Sequence, residues 1–227
     1  MNYLSHFYFN ASGNDPQFHL GVALPDLMSA CGREWRFHRQ AVEFKINQNE
    51  NLALWQGIKN HLEMDARFHQ SDFFKSCYNI IRPFLSDRLS PYAQVRFFFI
   101  AHIGIEMLLD HVLLWQEPLL AKRFYQTLEK ISAEKIRLIL EDYFRAPLND
   151  WENSFQQFMK VRYLEKYIEL PNVAYGLNRM LVRTRQEPLE GKAYDYFLEA
   201  LSECVKIIET HLPILMKEFN GQPLILN

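Results

Sequence analysis

The run FFFIAHIGIEMLLDHVLLW, residues 97–115, most constrains the fold, because it is long and apolar enough to cross a membrane or to fill a helical core. Within it His102, Glu106 and Asp110 recur at every fourth position. Ionisable groups are costly in hydrocarbon unless they are partnered, and no second run of this kind shields them. A buried helix of a protein without a membrane span is therefore expected, and its polar stripe must face something.

The rest of the chain supports an all-α class. Alternating β-branched runs and Asn-Gly hairpins are missing, whereas apolar residues recur at helical spacing almost throughout. Helices are expected near 18–30, 51–67, 71–85, 91–115, 118–130, 132–145, 149–160, 171–182 and 190–219. Residues 32–50, with Gly32, mixed charge and NQNEN, read as a long loop. No linker or repeat divides the 227 residues, so one multi-helix domain spanning 1–227 is expected.

Charge and cysteines narrow the class further. With 25 basic and 27 acidic residues the net charge is -2, which gives no global attraction to nucleic acid or anionic lipid. No nucleic-acid partner is expected. Cys31, Cys77 and Cys204 are far apart and form no C-x-x-C pair, which points away from disulfides and thiolate zinc sites and towards a reducing compartment. The opening MNYLSHFYFN lacks the basic and apolar regions of a secretory signal, so a cytoplasmic location is the expectation.

Chemistry is concentrated in the first half. Residues i, i+4 and i+8 of a helix share one face, so His61, Asp65 and His69 form a second stripe beside that of His102, Glu106 and Asp110. His6, and Asp26 in the apolar setting GVALPDLM, add further ligand types. Imidazole and carboxylate suit manganese, zinc or iron, and pairs at i and i+4 can grip a cation without backbone strain. The metal reading is thus His6, Asp26, His61, Asp65, His102 and Asp110, with His69 or Glu106 as proton carrier. Each piece also has a plainer explanation: an exposed polar pair, a core histidine bonded to a carbonyl, or Asp26 as a helix cap. Arg179 and Arg183 are candidate phosphate contacts or, equally, cations at a helix C-terminus. His19, His38 and His211 sit in no such pattern. Walker, Rossmann, nucleophile-elbow and H-E-x-x-H signatures are absent.

The order MNYLSH, GVALPDL, GIKNHLEMD, EMLLDHVLL, followed by VAYGLNRMLVR and the final helix, resembles the acyl-carrier-protein phosphodiesterase family. The resemblance implies an HD-domain-like helical fold and a metal-dependent phosphodiesterase, often using manganese, that removes phosphopantetheine from acyl carrier protein. It places His6, Asp26, His61, Asp65 and Asp110 at the family's polar motif positions. The chain departs from that pattern at His69, where the family tends to carry an acid, and at Leu62 and Glu63, where it tends to carry arginines; His102 is additional. Two other functions compete. One is a zinc-dependent helical hydrolase of the phospholipase C and nuclease type, and the other is a noncatalytic helical binding protein with a residual polar pocket.

Overall fold

The computed structural model describes residues 1–10, 15–32 and 34–220. Among them every regular element is helical, as the periodicity requires: α1 Tyr3–Phe9, α2 Pro16–Cys31, α3 Arg39–Asn47, α4 Leu52–Gln70, α5 Asp72–Leu89, α6 Phe97–Gln116, α7 Leu120–Leu128, α8 Ala133–Phe144, α9 Trp151–Val161, a 3-10 turn Tyr163–Ile168, α10 Leu170–Arg183 and α11 Lys192–Asn220. Local chemistry sets several starts. The Asp15 carboxylate accepts the Gln17 amide at 2.8 Å ahead of Pro16, and the Ser71 and Ser132 hydroxyls accept from Phe74 and Lys135 at 3.0 and 3.3 Å. Each such cap satisfies an otherwise orphaned amide, typically for about 1 kcal/mol.

Two expectations change. The stretch read as a loop, apart from residue 33, which lies outside the described residues, contains α3. That helix buries only Val42, so its apolar stripe is too thin to register as helical spacing. The core helix opens at Phe97 and not at Pro91, because Tyr92 and Ala93 both donate to the Leu89 carbonyl and close a turn behind α5.

The described residues divide into two compact units, each discontinuous in sequence. The first comprises Met1–Ser5, Ala66–Pro118 and the residues from Lys166 onward. Its centre is α6, packed against α5, α10 and α11. Ile105, Leu108, Leu109 and Leu113 of α6 are buried, as are Phe73 and Leu85 of α5 and Phe197, Leu201 and Ile208 of α11. Full burial of one such side chain is worth about 1.5–3 kcal/mol, which is how α6 offsets its polar members. Among the described residues α6 is the one helix with the length and apolarity of a membrane span, and 67% of its most apolar stretch is buried, the burial of a core helix.

The second unit comprises His6–Asp65 and Leu119–Glu165. Here α2 packs on α7, and α8 on α9. The buried set includes Leu20, Leu24, Met28, Leu54, Trp55, Phe124, Tyr125 and Leu140.

Candidate metal centres

The His, Asp and Glu side chains form two convergent groups among the described residues, one in each unit: His6 with Asp26 and His61, and His69 with His102 and Glu106.

The first group is built on a close helix crossing. A Cβ added to Gly21 of α2 would stand 3.0 Å from the Gly57 Cα of α4 and collide with the Leu54 carbonyl; one added to Gly57 would stand 2.9 Å from the Gly21 Cα and collide with the Phe18 carbonyl. The backbones touch, and only glycine permits it. At about 1.5 Å per residue, Asp26 and His61 lie about 7.5 and about 6 Å along their helices from this crossing.

His61 is buried, and its Nδ1 lies 2.8 Å from the Val22 carbonyl oxygen. A carbonyl only accepts, so Nδ1 is the donor, and in the neutral imidazole the lone pair sits on Nε2. That Nε2 faces Asp26 Oδ1 at 4.0 Å. A backbone carbonyl holding one imidazole nitrogen so that the other can ligate is the usual support of metal-bound histidine. The fully buried His6 stacks on His61 with centroids 4.1 Å apart and planes 26° from parallel. Asp26 keeps 27% of its side-chain surface exposed, so one ligand borders solvent.

Two ligands each 2.0–2.2 Å from one ion stand at most about 4.4 Å apart. The three candidate ligand atoms all lie within 4.8 Å of one another, so small side-chain adjustments close them on a cation. Two imidazoles and a carboxylate fit zinc, manganese or iron and leave further coordination positions for water.

The second group joins α4 to α6 within the first unit. His69 Nε2 and His102 Nε2 both face Glu106 Oε1, at 3.0 and 3.3 Å. Their rings stack 4.6 Å apart, 19° from parallel. The Phe74 ring meets both edge-on, with centroid distances of 4.9 and 5.0 Å.

The remaining sequence candidates are placed elsewhere. Asp110, read from the sequence as a ligand, is fully buried and uses its carboxylate to hold the first turn of α1, accepting the Leu4 amide at 3.1 Å and the Ser5 amide at 2.7 Å. Burial pushes its carboxyl up to about 7, opposed by those two amides. Asp65, half-buried one turn beyond His61, belongs to neither group. Arg179 and Arg183 are exposed on α10, where Arg183 occupies the last turn and complements the helix dipole. His19 is buried with edge contacts to Phe7 and Phe18. The neighbour of Asp110, His111, bonds through Nδ1 to the Tyr167 carbonyl at 2.7 Å, and burial lowers its pKa.

Sequence reasoning missed Gly21, Gly57 and the Val22 carbonyl. The glycines did leave a signal, since glycine inside a helix costs about 1 kcal/mol relative to alanine and marks a close approach. The carbonyl left none.

No protein-family model, curated protein or solved structure matches the chain.

Proposed function

We propose that this protein is a metal-dependent phosphodiester hydrolase whose cation is held by His6, Asp26 and His61. The observation that carries the reading is the pairing of His61 Nδ1 with the Val22 carbonyl, which turns Nε2 towards Asp26. The phosphodiester class follows from the resemblance of MNYLSH, GVALPDL and GIKNHLEMD, the segments that contain all three ligands, to the acyl-carrier-protein phosphodiesterases.

A divalent ion held by His6, Asp26 and His61 would lower the pKa of a bound water and neutralise charge on a phosphoryl oxygen. The chain's own residues do the rest. The His61–Val22 bond fixes the ring orientation, the His6 stack restrains it from the other face, and the partly exposed Asp26 marks the side from which a substrate approaches. Holo-acyl carrier protein is the proposed substrate and the cytoplasm the proposed location. All three cysteines are free thiols, which suits that compartment.

The test is metal content together with hydrolysis of bis(p-nitrophenyl) phosphate and of holo-acyl carrier protein. His61→Ala and Asp26→Ala are expected to lose both this metal and turnover. Full turnover in both variants would remove the mechanism, and a protein that takes up no metal would favour the noncatalytic reading.

A further inference from the structure

We propose that His69, His102 and Glu106 form a zinc-class cation site of their own, within the unit that contains α5, α6, α10 and α11. The proposal does not rest on the phosphodiesterase reading.

Spacing is the first argument. Ligands about 2.05 Å from a tetrahedral ion stand about 3.3 Å apart along each edge. The two Nε2 atoms lie 3.0 and 3.3 Å from Glu106 Oε1, so both nitrogen–oxygen distances already match that edge. Preorganisation is the second. His102 and Glu106 are one turn apart on α6, and His69 enters from the end of α4. The Phe74 ring packs edge-on against both imidazoles and restrains their swing.

Access is the third. The His102 side chain is 40% exposed and that of His69 is 26% exposed, whereas Glu106 is 13% exposed. The imidazole side of the group therefore borders solvent, from which an ion and its water ligands could reach it. Two imidazole nitrogens with one carboxylate oxygen favour a borderline ion such as Zn2+ or Co2+ over Mg2+ or Ca2+, which prefer all-oxygen shells.

The measurement is equilibrium dialysis of the chelator-stripped full chain against Zn2+ in a large excess of Mg2+, with Co2+ absorption as a second readout and circular dichroism to verify folding. In Asp26→Ala one equivalent of Zn2+ is expected to remain. His102→Ala and Glu106→Gln are expected to weaken that equivalent by more than roughly 100-fold, the upper range for losing a merely supporting residue. In the wild-type background these two variants would each drop one equivalent and alter the Co2+ spectrum. If folded His102→Ala and Glu106→Gln keep the wild-type stoichiometry and spectrum, or if Asp26→Ala abolishes all binding, the site does not exist. Binding lost in His102→Ala but unchanged in Asp26→Ala would support this site while sinking the His6–Asp26–His61 reading.

Discussion

Gly21 of α2 and Gly57 of α4 meet backbone to backbone, with no room at either position for a methyl group. Alanine at an ordinary helical glycine stabilises by about 1 kcal/mol, but here it would force the helices apart at a cost of about 1–3 kcal/mol. Gly21→Ala and Gly57→Ala should therefore lower the urea midpoint and weaken metal binding at His6, Asp26 and His61. A raised midpoint in either variant would show that the crossing is looser than the structure has it.

Asp110 supplies a pH signature. Its buried carboxyl titrates near 7 in the folded protein, against about 3.9 in an unfolded chain. Between those values the native state holds the extra proton, so stability due to this group is present at low pH and is lost as pH rises through 7. Stability measured from pH 4 to pH 7.5 should carry this falling component, and Asp110→Asn should remove it. The variant should also be less stable throughout, by about 1–3 kcal/mol, because its amide NH2 opposes one of the two backbone donors. An unchanged slope in Asp110→Asn would assign the component to another group.

Metal affinity at the first group should have the opposite pH dependence. Ligating imidazoles must be unprotonated, so protons compete with the cation and acidification weakens binding. With His6 and His61 stacked 4.1 Å apart, protonating either ring removes a ligand from the same set. Chelator competition at pH 5.5 and pH 8 should show the tighter complex at pH 8; equal affinity would argue that these histidines do not ligate.

The cysteines separate by reactivity. Burial pushes the thiols of Cys77 and Cys204 up to about 12, whereas Cys31 is exposed. A thiolate-specific disulfide reagent should label one thiol rapidly in the native protein and three after denaturation. Rapid labelling of all three in the native state would mean that the α5 and α11 interior opens readily.

Most helices were legible because their apolar spacing, prolines and Ser caps agree, as at Ser71 and Ser132. The short α3, with Val42 as its one buried residue, offered no such agreement. The site was legible in its residue types and in the His102–Glu106 turn, since i,i+4 neighbours are dictated by helix geometry alone. The grouping was not. Asp26 meets His61 through a crossing set by two glycines, and Asp110 meets Leu4 and Ser5 across more than a hundred residues of chain. Helical periodicity says which way a side chain points on its own helix. It is silent about what arrives opposite.

The stacked imidazoles of each group also act as built-in reporters. In both pairs the rings stack with centroids 4.1 and 4.6 Å apart, so each ring lies within the other's ring-current field, which is expected to displace its carbon-bound proton NMR signals from those of solvent-exposed histidine. A ligand or a proton that tilts one ring by a few degrees would move its neighbour's lines as well, and each unit can then be followed separately in one spectrum without any attached label.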